Sequence, residues 1–308
     1  MRIVFCGTPQ FAVPTIEAVI AAGHEIPLVI SQPDRPTGRR QTIEPTPVKA
    51  AALRHSLEVI QPEKIKHNQD LRARLESIAP DAILVVAYGR IIPDWMLNLP
   101  RHGCINLHGS LLPKYRGAAP IQWAVAMGET ITGVTTMRLD SGLDTGPMLL
   151  AQVVPIAEEE TSLDLFESLA DVGARLMLKT LDALECGTIV PSEQDHTAAT
   201  LAPILTREDG RMDFSQPAAT LINRWRGFQP WPGAFTTLRG KKLLVHRMCA
   251  APGICNPAEL EVDGNRLYLG CANSRIELLE LQLEGKKRMT AAEFLRGHQL
   301  QSGEKVGE

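Results

Sequence analysis

The run Ala82-Ile83-Leu84-Val85-Val86-Ala87 constrains this chain more than any other stretch. Six consecutive apolar residues without alternation form a strand whose two faces must both be covered. Such a strand belongs in a sheet flanked by helices, so the expected class is α/β. The sequence around it agrees. Strands are expected over residues 3–6, 26–31, 58–60 and 104–107, with helices over 11–22, 48–57, 69–78 and 120–127 between or after them. Gly23 closes the first helix as its C-cap. The alternation then gives way to adjacent strands at 132–139 and 148–156 and a long amphipathic helix at 163–184. Residues 1–188 are therefore expected to form a Rossmann-like domain with a mainly parallel sheet.

Beyond it, residues 189–206 are polar, contain Thr, Ala and Pro, and carry little periodicity, which suggests a linker. A helix at 218–228 follows, then short strands near 234–238, 242–248, 267–270 and 276–282, separated by Gly, Pro and Asn. That pattern suggests a small β-barrel over 207–308. At 308 residues the chain is long enough for two such domains. The net charge of −3 conceals an asymmetry: 17 Lys and Arg against 23 Asp and Glu in residues 1–202, but 15 against 12 in 203–308. A basic C-terminal part is compatible with a phosphate-bearing partner and is also common in proteins without one.

Several function classes are disfavoured. The six Cys (6, 104, 186, 249, 255 and 271) include no Cys-x-x-Cys pair, which argues against a zinc site or disulfide framework and fits a reducing cytoplasm. No apolar run approaches the roughly 20 residues of a bilayer span, and no signal peptide is visible, so no membrane partner is expected. Neither Gly-x-Gly-x-x-Gly nor Gly-x-x-x-x-Gly-Lys-Ser/Thr occurs, which argues against a nicotinamide or ATP site.

The chemistry concentrates at residues 103–117. Asn106 and His108 lie two apart on a strand and so share a face. A glycine turn and a proline-stiffened loop ending in Arg116-Gly117 follow. Ligands of parallel sheets bind at the carboxyl ends of strands. A core histidine beside an asparagine turn cap would use the same two residues. Residues 138–147 add a loop bearing Asp140 and Asp144. A carboxylate for the imidazole, with an amide donor beside it, suits an acyl-type transfer, in which an oxyanion needs donors and an attacking amine must lose a proton. Residues 32–47 form a sixteen-residue loop with four prolines and Arg35, Arg39 and Arg40, too long for a routine connection. Its arginines could grip phosphates or base edges, or simply keep a linker solvated.

These motifs occur in a recognisable order: Gly7-Thr8-Pro9-Gln10-Phe11-Ala12, Gln32-Pro33-Asp34-Arg35-Pro36 with Gly38-Arg39, Ala87-Tyr88-Gly89, Asn106-Leu107-His108-Gly109-Ser110-Leu111-Leu112-Pro113, Arg116-Gly117-Ala118-Ala119-Pro120-Ile121-Gln122 and Leu143-Asp144-Thr145-Gly146. The chain resembles the methionyl-tRNA formyltransferase family, from its first strand to Gly285-Lys286-Lys287. The Asn/His/Asp set is common to enzymes that use 10-formyltetrahydrofolate. The opening Gly-Thr-Pro-x-Phe and the Gln-Pro-Asp-Arg-Pro loop resemble the tRNA-specific members.

The resemblance implies formyl transfer from 10-formyltetrahydrofolate to methionyl initiator tRNA for translation initiation. It implies that Asn106 and His108 hold the formyl oxygen, while Asp144 pairs with His108 and helps relay the amine's proton. Tyr88, Gly89, Ser110, Leu111, Leu112, Pro113 and Asp140 would line the folate pocket. Arg35, Arg39, Arg40, Lys286 and Lys287 would contact the tRNA, with Arg39 reading the unpaired acceptor end. The barrel would resemble an oligonucleotide-binding fold. By their spacing Trp225, Trp231 and Phe235 are expected in the core, with stacking on bases as the alternative. No metal is implied, and a monomer is expected.

Overall fold

The computed structural model describes residues 1–37 and 42–307, so Arg39 and Arg40 lie outside the described residues. The chain divides into two compact units. The first comprises Met1–Pro120, Ile131–Pro155 and Asp164–Pro203; the second comprises Ile121–Thr130, Ile156–Leu163 and the chain from Ile204 onward.

The elements run β1 (Arg2–Gly7), α1 (Val13–Ala21), β2 (Glu25–Ile30), β3 (Pro36–Thr37), β4 (Thr42–Ile43), α2 (Pro47–Arg54), β5 (Val59–Ile60), α3 (Gln69–Ile78), β6 (Ala82–Val86), α4 (Asp94–Leu97), β7 (Cys104–His108), β8 (Arg116–Gly117), α5 (Pro120–Ala126), β9 (Ile131–Arg138), β10 (Met148–Pro155), α6 (Ser162–Glu185) and β11 (Leu201–Ala202). Local chemistry starts the helices. Thr46 Oγ1 accepts the Lys49 N–H at 3.2 Å to cap α2, with Pro47 in its first turn, and Asn68 Oδ1 accepts the Leu71 N–H at 2.9 Å to cap α3.

The first unit is built on a seven-stranded sheet ordered β10-β9-β7-β6-β1-β2-β5. The five strands from β7 to β5 are parallel; β9 runs antiparallel to both β7 and β10. β6 lies between β1 and β7 with all five residues buried, which is why its sequence does not alternate. On one face, Val4, Cys6, Leu28, Ile30, Ile83, Val85 and Cys104 pack with Leu71 and Leu75 of α3. Each large aliphatic side chain so buried contributes about 1.5–3 kcal/mol. On the other face α6 comes close: a Cβ at Gly173 would sit 2.6 Å from Leu107 Cδ2, and the Thr136 and Thr180 hydroxyls bond at 2.8 Å.

The second unit continues with α7 (Ala218–Gly227), β12 (Ala234–Leu238), β13 (Lys241–Ala251), β14 (Leu260–Asp263), β15 (Arg266–Cys271), β16 (Ser274–Leu283), β17 (Met289–Thr290) and α8 (Ala291–His298). Six antiparallel strands form its sheet, ordered β12-β13-β16-β15-β14 with β17 on β16. Leu243, Val245, Leu267, Leu269, Ile276, Leu278 and Leu281 pack there with Leu221 and Phe294. Trp225 packs against this core and Phe235 is buried, but Trp231 is 55% exposed. Two internal segments belong to this unit for specific reasons. A Cβ at Gly227 would meet Ala126 N at 2.5 Å, so α7 touches α5 backbone to backbone. Buried Arg226 donates through Nη1 to the carbonyls of Ala157 and Glu160 at 3.1 and 3.0 Å. Among the described residues, no helix is long and apolar enough to cross a membrane.

Candidate active site

β7 supplies the site's first two groups. Its register sets Asn106 opposite Val85 on β6 and Met137 on β9, and His108 opposite Thr135. Cys104, Asn106 and His108 alternate onto one face, Cys104 inside the core and the two polar residues toward the strand's carboxyl end. Asn106 is 9% exposed and His108 is 5% exposed.

The loop after β7 is braced from below. Thr135 Oγ1 donates to Ser110 O at 2.7 Å and accepts the Leu112 N–H at 3.2 Å, while Ser110 Oγ donates to Lys114 O at 2.6 Å. These bonds carry the chain back so that the Tyr115 carbonyl faces His108, with His108 Nε2 at 2.9 Å. A carbonyl can only accept, so Nε2 carries a proton and Nδ1 is the nitrogen left for chemistry.

Nδ1 faces the carboxylate of Asp144, with Oδ2 3.7 Å away. That is too long for a hydrogen bond but within range of a protonated imidazole. The Gly117 N–H donates to the same Oδ2 at 2.8 Å. Asp144 has φ +51°, a left-handed conformation that side chains with a Cβ adopt at a cost. Asp140 shapes the loop before it: its carboxylate accepts the Gly142 N–H at 3.0 Å and the Thr145 hydroxyl at 2.7 Å. Glycine is required at 146, where a Cβ would lie 1.9 Å from Arg138 O.

The rest of the carboxyl edge joins β1, β2 and β6. Thr8 Oγ1 donates to Tyr88 O at 3.1 Å, and Gln32 Nε2 donates to the carbonyls of Tyr88 and Gly89 at 3.0 and 3.1 Å. The long loop is anchored at its base. Lys49 Nζ pairs with Asp34, and Gln61 Nε2 bridges Asp34 Oδ1 and Gln32 O at 2.7 Å each. Burial raises the Asp34 pKa, but the bonds from Lys49, Gln61 and the Thr46 N–H outweigh it and hold the carboxyl below its usual range.

Of the expected site residues, the fold brings Asn106, His108 and Asp144 together. Gly89, Leu111, Leu112, Pro113 and Asp140 lie on the loops around them. Tyr88 and Ser110 reach this edge with their side chains buried. The Tyr88 ring is buried in the core, its hydroxyl sealed and without a partner among the described residues, and Ser110 is fully buried with its hydroxyl spent on Lys114. Both support the edge from beneath rather than offering side chains to a pocket. Burial also raises the Tyr88 phenol's pKa above its ordinary value. Arg35, Lys286 and Lys287 are exposed.

Sequence reasoning missed Thr135, Gln194 and Thr200. Only Thr135 carried a signal, as a hydroxyl residue on an otherwise buried strand. Among the described residues, no group of His, Cys, Asp and Glu is arranged to hold a metal ion.

Residues 1–181 match the formyl transferase family and residues 204–299 the formyl transferase C-terminal domain. The chain is 60% identical to the methionyl-tRNA formyltransferase of Acidobacterium capsulatum, with 100% of both chains covered. It is 56% identical to that of Koribacter versatilis, covering 100% of this chain and 99% of the relative. The N-formyltransferase from Helicobacter canadensis, solved with folinic acid and dTDP-3-aminofucose, has a TM-score of 0.65 at 18% identity, covering 90% of this chain and 98% of that one. This last likeness is one of fold.

Proposed function

The chain belongs to the methionyl-tRNA formyltransferase family, and from that premise we propose that Asn106, His108 and Asp144 carry its chemistry. The reaction moves a formyl group from 10-formyltetrahydrofolate to the free amino group of methionyl initiator tRNA, for translation initiation. The formyl donor supplies an acyl carbon attached to a nitrogen leaving group, and no nucleophilic Ser or Cys is needed.

The Asn106 amide, on the same face as His108, donates to the formyl oxygen as negative charge gathers there. His108 takes the amine's surplus proton at Nδ1, because Tyr115 O already engages Nε2. Protonated there, His108 becomes a second donor to that oxygen, and Asp144 stabilises the imidazolium across 3.7 Å. The proton then passes to the leaving nitrogen as the carbon–nitrogen bond breaks. The donor set fits this substrate: an amide, an imidazole and a carboxylate beside loops that present Leu111, Gly89 and Asp140. The observation that carries the reading is the His108 ring, held at Nε2 and turned with Nδ1 toward Asp144.

In this reading residues 1–188 carry the chemistry, 189–206 link them to 207–308, and 207–308 add tRNA contacts to those of the loop over residues 32–47. Arg35, Arg39 and Arg40 approach the acceptor end, and Lys286 and Lys287 grip phosphates. The protein acts as a cytoplasmic monomer. Incubation with 10-formyltetrahydrofolate and charged initiator or elongator methionyl-tRNA tests this. Preferential formylation of the initiator is expected; equal rates, or none, would contradict it.

A further inference from the structure

Residues 192–203 lie across the two loops of the site. Ser192 exchanges backbone bonds with Met148 at 2.8 Å, just beyond the Asp144 loop. Thr200 accepts the Tyr115 N–H through its hydroxyl and the Arg116 N–H through its carbonyl, both at 2.9 Å, and β11 then pairs with β8. Between these anchors sits Gln194, 5% exposed.

All four hydrogen-bonding positions of the Gln194 amide are used. Its Oε1 accepts from Arg116 Nε at 3.1 Å and Nη2 at 2.7 Å; its Nε2 donates to Asp144 O at 2.9 Å and Gly146 O at 2.7 Å. Arg116 is itself buried and also donates to His196 Nδ1 at 3.1 Å, with no carboxylate partner among the described residues. A buried cation against Oε1 polarises the amide and strengthens the bonds its N–H groups make. Those bonds fall on both sides of Thr145, where Asp144 holds its left-handed conformation. A backbone of that kind persists only when its surroundings fix it.

We propose that Gln194, backed by Arg116, is a positioning residue that orients the Asp144 carboxylate against His108. The inference rests on Asp144 acting through His108. Gln194→Glu separates positioning from packing: it keeps an acceptor for Arg116 but offers no N–H to the two carbonyls. In the full chain, kcat should fall about 10–100-fold, the scale of a misplacement near 1 Å. KM for methionyl-tRNA should hold, and Gln194→Met should behave likewise. Because the effect runs through Asp144, the same Gln194→Glu change should cost less than about threefold in an Asp144→Asn background. If Asp144→Asn alone leaves kcat at the wild-type value, the reading of Asp144 fails first. If Asp144→Asn is impaired but Gln194→Glu costs nothing, or the same factor in both backgrounds, Gln194 does not position Asp144. Failure of both Gln194 variants to fold would assign the residue to stability alone and overturn the proposal.

Discussion

The Tyr115 carbonyl fixes what His108 can do, because an imidazole that donates at Nε2 has only Nδ1 with which to accept a proton. Asp144 then matters through its charge. Asp144→Asn keeps an oxygen for the Gly117 N–H but cannot stabilise an imidazolium, so single-turnover formyl transfer should slow by roughly 10²–10⁴. A loss below tenfold would remove Asp144 from the proton path. Asp34 makes a different prediction. Its pKa is depressed in the fold, so its contribution to stability is present above the unfolded value near about 4 and is lost as pH falls through the folded value. Asp34→Asn should therefore unfold more readily than wild type at neutral pH, with the gap closing in acid, as thermal scans from pH 7 to pH 3 (roughly the carboxylate range) would show. Asn106 and His108 stand out in the sequence because polar side chains at the end of an apolar strand are conspicuous, and Asp144 because its loop is punctuated by Asp and Gly between apolar runs. Gln194 does not: an amide in an aperiodic polar passage announces nothing until its partners, 48 to 78 residues away, are in place.

At the scale of elements, period and composition located what local chemistry dictates. The unalternating run became β6, and the helix expected over 69–78 is α3 to the residue, held by its Asn68 cap. β14 escaped notice because Leu260-Glu261-Val262-Asp263 is short and half charged. α8 carries a readable signature in its Thr290–Glu293 capping box. The placement of α5 in the second unit had no local signal, since it depends on Gly227 letting α7 approach Ala126. Gly227→Ala should therefore overpack that contact and destabilise by about 1–3 kcal/mol. The second unit's unfolding transition should fall in a calorimetric scan; an unmoved transition would mean that the two helices separate without cost.

Across the whole molecule, a chemical edge on the first unit is joined in one chain to residues 203–308, where 15 Lys and Arg stand against 12 Asp and Glu. Binding of tRNA should weaken steeply with salt, and Lys286→Ala should reduce the slope by about one while affecting initiator and elongator alike. Arg39→Ala should instead narrow the preference for the initiator, by about 1–3 kcal/mol if the side chain reads a base edge. Equal losses on the two tRNAs would reduce its role to a phosphate grip. If the donors on β7 accelerate formyl transfer itself, Asn106→Ala should lower kcat rather than weaken donor binding. Measurement of kcat with saturating 10-formyltetrahydrofolate and methionyl initiator tRNA, alongside the affinity for the formyl donor, decides this. The kcat should fall roughly 10²–10³-fold with donor affinity nearly unchanged, whereas retention of more than about a tenth of the wild-type rate would mean that the Asn106 amide does not serve the transition state.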